Sequence, residues 1–360
     1  SYDTMDRLTK VAGKAAVNGT EAAVQVQYTY DRDRLTKITH NGFDYTFAYD
    51  GFGNRKSVSI AGKAAVSHDY TYDAQGQLTR EYDPDKKLYL GYQYDAGGNL
   101  TEVCSYPAGA EGGPEGTGTV LKRFAYGSTW KDQMTSVTMD GKTRNFTYDA
   151  NGNLLNDGKY TYSWTKGSQL QKVTGSGLEA TYTYDASGIR TSKTVNGVTT
   201  EYLTAGGSIL SEKKNGIWQH YLYDGSGQLM AIRYKGADYY YIRDGLMSIT
   251  GLVDANGTAV VNYRYDSWGR LLGITGSLAE TLGKDNPYRF KGYYYDEETG
   301  MYYLKSRYYQ PEICRFVSAD VYITTELNMN GSNMYSRKYR KFINIFDRQF
   351  FNKNSHKGRN

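Results

Sequence analysis

Apolar and polar residues alternate along most of the chain in short runs that close, again and again, in Tyr-x-Tyr-Asp. Period-two alternation puts both rings of a run on one face of a strand, because successive side chains point to opposite sides. After each Asp come two residues, a Gly, one more residue and often a Leu. The unit reads YTYDAQGQL from Tyr70, YQYDAGGNL from Tyr92, FTYDANGNL from Phe146, YLYDGSGQL from Tyr221 and YRYDSWGRL from Tyr263. Looser copies are YTYDRDRL from Tyr28, FAYDGFGNR from Phe47 and YTYDASGIR from Tyr182. The second tyrosines Tyr30, Tyr49, Tyr72 and Tyr94 are 19, 23 and 22 residues apart, and Tyr148, Tyr184, Tyr223 and Tyr265 carry the pattern onward.

Each part of the unit has a physical role. Asp followed three residues later by Gly is the signature of a type I turn, with the carboxylate accepting backbone N–H groups and Gly taking the last position. Asp31, Asp50, Asp73, Asp95, Asp149, Asp185, Asp224 and Asp266 hold the first place, and Gly76, Gly152 and Gly269 hold the last in three of the copies. A Leu such as Leu78, Leu154 or Leu271 then opens the return strand. One repeat is therefore about one hairpin. A lone hairpin is marginal in water, so neighbours must stack, as they do in solenoids and closed sheets. The prediction is an all-β chain of serial antiparallel hairpins. An Asp recurring at a turn position reads as turn chemistry rather than as a metal ligand or acid. The tyrosines read as inter-strand packing, with an exposed glycan-stacking surface as the alternative. Between 106 and 119 the pattern gives way to a Gly/Pro/Glu run, a loop insertion that lacks the marks of a phosphate-binding loop.

Composition sharpens this picture. The chain has 360 residues, with 38 Tyr, 41 Gly and only 5 Pro, at a mean hydropathy of −0.68. Tyr favours strands and Gly the positive-φ turns between them, whereas disordered segments are poor in aromatics. Cys104 and Cys314 have no metal-ligand spacing and imply no disulfide framework. Four scattered histidines and the lack of a G-x-S-x-G elbow leave metallohydrolase and serine-hydrolase readings without support, and no cofactor is implied. The net charge of +5 belongs to the end of the chain: residues 337–360 carry +7, and the first 336 carry −2. The body thus shows no nucleic-acid footprint. No apolar run reaches the ~20 residues of a spanning helix. The chain starts at Ser1 rather than Met, which suggests an origin inside a longer parent; the lack of a signal sequence then says nothing about export.

The repeated Tyr-Asp-x-x-Gly-x-Leu resembles the YD repeat of RHS proteins over most of residues 1–320. The resemblance implies one long sheet spiralling into a hollow shell around a C-terminal cargo, often a toxin, in a secreted or surface protein. NPYRFKGYYYDEETGMYYLKSRYYQPEICRFVSAD, from Asn286 to Asp320, resembles the RHS-associated core, and IRDGLMSITGLVDANG from Ile242 resembles the stretch before it. The residues of the core also read as a hairpin with a Glu-Thr-Gly turn, with Arg289, Arg307 and Arg315 placed to stack on rings. The expected organisation is a YD-repeat region at 1–241, the core at 242–336 and a basic tail at 337–360.

Many family members end this core with two Asp-Pro-x-Gly motifs whose aspartates cut the chain and free the cargo. Two close carboxylates suit that task, since one stays protonated while the other activates water. Asp320 and Asp347 fall at the matching places, with Arg315 as an electrostatic partner, and NMYS (Asn333 to Ser336) keeps the alignment between them. Both motifs have lost Pro and Gly, which argues for a degenerate end. Three functions follow in order: a shell segment enclosing or displaying a cargo polypeptide absent from this chain, a module binding cell-surface glycans, and an aspartyl self-cleaving core.

Overall fold

In a computed structural model of the chain, the described residues are 1–320, apart from 2, 6, 8, 18–19, 41–42, 62–65, 110–112 and 226, together with 333–336. Strands β1 (Lys10–Val17) to β12 (Lys142–Asn145) form one sheet and β13 (Thr147–Tyr148) to β26 (Leu271–Thr275) a second, each hydrogen-bonded strictly in chain order. Such a meander is antiparallel by necessity, because the turns are too short for a crossover. The two sheets part at Phe146, whose amide still bonds the Thr135 carbonyl at 2.9 Å, so the wall is nearly continuous. A four-stranded sheet follows: β27 (Tyr294–Asp296), β28 (Met301–Tyr303), β29 (Tyr308–Gln310) and β30 (Arg315–Phe316). Helix among the described residues is confined to short segments at 279–285, 290–292 and 311–313. The insertion after Pro107 is pinned by one bridge, Ala108 to Pro114, before β10 (Thr119–Tyr126) resumes the meander.

The register slips by one residue at the same point of the repeat, between Ala48 and Tyr49, Thr71 and Tyr72, Gln93 and Tyr94, Thr183 and Tyr184, Leu222 and Tyr223, and Arg264 and Tyr265. A bulge bends its strand and adds twist, and repeating it on schedule curls the sheet. The curl brings late repeats back onto early ones. Arg264 pairs with Asp85 at 2.5 Å across 179 residues of sequence, Trp268 packs edge-on to Tyr92 at 5.7 Å, and Ser267 donates to Glu81.

One side of the wall is aromatic and the other polar. Tyr92, Tyr162, Tyr182, Tyr202, Tyr221 and Tyr263 are buried with Leu78, Met134, Leu154, Leu170 and Ile232 in one cluster, which also takes in Tyr288, Tyr294, Met301 and Tyr308 of the C-terminal sheet region. The middle residues of Tyr-x-Tyr, among them Thr71, Gln93, Thr183 and Arg264, are exposed on the other side. Val26, Ile38, Phe47 and Val58 make a small separate cluster under the first hairpins.

Candidate functional site

The turn is the smallest working part. At Asp73 the carboxylate accepts from the amides of Gln75 (2.9 Å) and Gln77 (2.8 Å), and the Gly76 amide bonds the Asp73 carbonyl at 3.0 Å with φ at +78°. The same bonds recur at Asp50, Asp95, Asp149, Asp185 and Asp266. Asp224 accepts from Gln228 at 2.8 Å. A short carboxylate placed this way satisfies amides that a hairpin end otherwise leaves to water. Asp244 and Asp254 build the turn too, the former with Met247 at φ +65° in the glycine place. The first copy differs: Asp31 faces Arg34 around a two-residue turn with Arg32 at φ +52°.

In most copies the tyrosine before the Asp ties its repeat to the preceding one. Hydroxyls of Tyr49, Tyr72, Tyr94, Tyr184, Tyr223 and Tyr265 donate to the carbonyls of Leu35, Arg55, Leu78, Leu170, Ile209 and Ile249, at 2.7 to 3.0 Å. Arg7 lies 4.8 Å over the ring of Tyr30. At Leu78 the reason is visible in the ladder. Strand β7 (Leu78–Asp83) pairs with β8 (Leu88–Tyr94) only from Arg80 onward. Tyr94 supplies the bond that the backbone does not, which a buried carbonyl requires.

The core segment lies on the aromatic face of the second sheet. Hydroxyls meet hydroxyls across the contact: Tyr184 with Tyr308 at 2.8 Å, Tyr202 with Tyr294 at 3.1 Å, and Tyr223 with Tyr288 at 3.3 Å. At its centre Arg190 forks onto Asp296 at 2.6 and 2.9 Å, and both side chains have 0% exposure. Lys193 reaches Asp296 at 3.0 Å and Glu298 at 2.9 Å. The rings of Tyr182, Tyr202, Tyr294 and Tyr303 surround the guanidinium at 4.3 to 5.4 Å. Burial alone would raise the Asp296 carboxyl, but the charges of Arg190 and Lys193 outweigh it and hold it below the usual range. Glu212, buried beside them, is pushed up by burial and accepts from the Tyr294 hydroxyl at 2.8 Å. Two turn glycines are also contact points. A Cβ on Gly269 would fall 2.2 Å from the Phe290 ring, and one on Gly152 would fall 2.5 Å from the Tyr335 hydroxyl.

The arginines of the core are stacked on rings. Arg289 lies 4.5 Å over Tyr295, Arg307 lies 3.8 Å over Phe316, and Arg315 sits 5.0 Å from Tyr126 and 5.2 Å from Tyr335. Asp320 pairs with Arg307 at 3.0 Å, and its amide bonds the Met334 carbonyl at 2.9 Å. Arg315 donates to the Asp132 carbonyl at 2.5 Å. Asp347 and the basic tail lie outside the described residues. Among the described residues, no group of three or more His, Cys, Asp and Glu is placed to hold a metal ion.

Comparisons with known proteins agree with a serial all-β meander of YD repeats. The sequence profile of the teneurin YD-shell matches residues 132–345, and that of the RHS repeat matches residues 72–111. The chain belongs to the RHS/YD-shell family. Among YD-shell relatives, the tRNA nuclease WapA of Bacillus subtilis strain 168 is 34% identical over 81% of this chain and 13% of its own length. The double-stranded DNA deaminase toxin A of Burkholderia cenocepacia is 23% identical over 80% of this chain and 21% of its own. The chain thus spans a small part of the curated relatives it matches. A solved structure of the Tc holotoxin pore of Photorhabdus luminescens shares the fold at a TM-score of 0.70 and 17% identity, over 96% of this chain and 18% of that one.

Reading the repeat for its majority pattern passes over the residues that matter most in this YD shell. Five residues after the turn Asp, most copies carry an aliphatic residue: Leu78, Leu100, Leu154, Leu229 and Ile249 are all buried. In the copies from Phe47 and Tyr182 that place holds Arg55 and Arg190, and both are buried. A charge at a core position demands a buried partner. Asp296 is that partner for Arg190, and Asp244 stabilises the charge of Arg55. The signal was present in the sequence as Arg at a Leu place; the partners, from remote segments, were not.

Proposed function

We propose that this chain is a wall segment of a shell that encloses or displays a downstream, toxin-like polypeptide of a secreted or surface protein. The single observation that carries the reading is the aromatic face of a curling meander, occupied by the chain's own core segment through the buried Arg190–Asp296 pair and three tyrosine–tyrosine contacts. A wall that curls back on itself has an inside, and here the inside is the apolar side. Relatives support it: the shared region recurs in proteins named for a tRNA nuclease and for a DNA deaminase, so what they have in common is not one catalytic chemistry. The repeat tyrosines of the second sheet face the core, which favours enclosure over glycan stacking.

The test is a reporter polypeptide fused after Asn360 and exposed to a broad protease. An enclosing wall lengthens the reporter's lifetime over that of the free reporter, and the Arg190→Ala change, which breaks the wall-to-core pair, shortens it again. A fused reporter digested as fast as the free one would rule enclosure out.

A further inference from the structure

Residues 333–336 sit in a socket made from two repeat turns and the loop between them. We propose that this socket is a binding site for the Asn-Met-Tyr-Ser segment, tethering the polypeptide downstream of it to the wall without a covalent bond. The Asn333 side-chain amide donates to Asn99 Oδ1 at 2.7 Å, and Asn99 is itself held by Asp95 Oδ2 at 2.9 Å in the turn that Asp95 begins. Tyr335 is fully buried. Its ring lies 6.0 Å from Trp130 and 5.7 Å from Tyr148, and its hydroxyl donates to the Gly152 carbonyl at 2.8 Å in the turn that Asp149 begins. The Met334 amide donates to Asp132 Oδ2 at 3.2 Å, and the Tyr335 carbonyl accepts from the Phe316 amide at 3.1 Å. Asn333 Oδ1 accepts from the Ser336 amide at 2.9 Å, folding the segment into a compact turn.

The chemistry selects its occupant. A buried side-chain amide needs a hydrogen-bond partner, which Asn99 supplies, and a buried ring whose hydroxyl reaches a carbonyl favours Tyr over Phe, because the unmatched carbonyl would be left without a partner. Gly152 fits the hydroxyl so closely that no Cβ could stand there. Nothing in the socket depends on the peptide bonds between 320 and 333. The chain beyond Ser336 is therefore held at this point of the wall even if the intervening stretch is cut, and this stands whether or not the wall encloses a cargo.

The experiment uses the full chain with a specific protease sequence substituted for residues 323–329. After cutting, release of the C-terminal piece is timed in mild urea, with circular dichroism confirming that the body stays folded. About 1 M salt, where the screening length is about 3 Å, removes retention by the basic tail alone. The native piece is expected to stay with the body, and the piece bearing Asn333→Ala with Tyr335→Ala to leave on the order of a hundredfold faster. Tyr335→Phe keeps the ring, and with it the local packing, and is expected to leave about tenfold faster than native. A native piece that leaves at once, or release at one rate in all three, would overturn the tether.

Discussion

The hairpins of residues 26–61 and those of residues 161–223 are made from the same unit, yet they differ in what lies on their aromatic face. In the first set the buried cluster is Val26, Ile38, Phe47 and Val58, and Tyr28, Tyr45 and Tyr49 are only partly covered. In the second, Tyr182, Tyr202 and Tyr221 are buried in the large cluster shared with the core segment. Corresponding residues show what changes. Tyr49 and Tyr184 both bond a carbonyl of the previous repeat, at 2.7 and 2.8 Å, but Tyr184 also meets Tyr308. Arg55 and Arg190 occupy the same place in the repeat; Arg190 forks onto Asp296 of the C-terminal sheet, whereas Arg55 has near it the charge of Asp244, itself a turn residue of the wall. The lesson is that the repeat builds wall from local bonds, while the tight packing of a given stretch depends on which remote segment lies over it. Local units fold from neighbours; the covered layer waits for contacts about a hundred residues away, such as the 106 between Arg190 and Asp296.

The sharpest way to break the comparison is to remove the two arginines in turn. Arg190→Ala strips Asp296 of its bidentate partner and leaves the buried carboxylate with Lys193 alone, which costs about 3 kcal/mol. Arg55→Ala removes a buried cation stacked at 5.1 Å on Tyr70 but leaves Asp244 with the Leu246 and Ser248 amides of its own turn, and is expected to cost about 1–2 kcal/mol. Urea unfolding followed by circular dichroism measures both. Equal losses would mean that the core segment adds nothing special to the second wall.

Much of this was legible in the sequence. Tyr-x-Tyr-Asp and its Gly specify the strand face, the turn and the hairpin order, because each is a short-range property of the chain. The YYYDEETGMYY hairpin was readable for the same reason. Three things were not. The hydroxyl-to-carbonyl link depends on a bulge that leaves a specific carbonyl beyond the ladder, and no spacing announces that. The partner of Arg190 comes from a segment brought over by the curl. The candidate set of Asp320, Asp347 and Arg315 was drawn from a family pattern; the structure places Asp320 with Arg307 and Arg315 against Asp132, and Asp347 lies outside the described residues.

Where the two regions meet, Glu81 gives the next largest expected effect. It is buried between Tyr92, whose hydroxyl donates at 2.5 Å, and Ser267 from the late repeat. Burial raises its carboxyl from 4.5 to about 7. A raised acid pKa means that the folded state holds the proton more tightly than the unfolded chain. Stability contributed by the protonated form is then complete below about 4.5 and is lost as pH rises through about 7. The loss amounts to at most about 3 kcal/mol. Glu81→Gln still accepts from Tyr92, donates its amide to a turned Ser267 hydroxyl and removes the titration, so its melting temperature is expected to stay flat across that window and to exceed the native value above it. A native protein whose melting temperature does not fall between pH 5 and pH 8 would show that the junction is wetter than its geometry indicates.

The smallest effect tests the comparison at a single atom. Tyr49→Phe and Tyr184→Phe each delete one hydroxyl and leave the ring, so packing is held constant and only hydrogen bonding changes. Both changes strip a donor from a carbonyl of the preceding repeat, Leu35 or Leu170, at a cost of about 1 kcal/mol each. In the second wall the change also takes away the partner of the buried Tyr308 hydroxyl, whose other neighbour is Arg190 Nη1 at 3.5 Å, the outer limit of a hydrogen bond. Tyr184→Phe should therefore cost more than Tyr49→Phe, by roughly the worth of one further buried hydrogen bond, about 1 kcal/mol. Adding Tyr308→Phe to Tyr184→Phe should recover part of that difference, since removing both partners leaves no orphan between wall and core. If the two single changes cost the same and the double change recovers nothing, the hydroxyl contact is incidental, and the core is held on the wall by ring packing and the Arg190 pair alone.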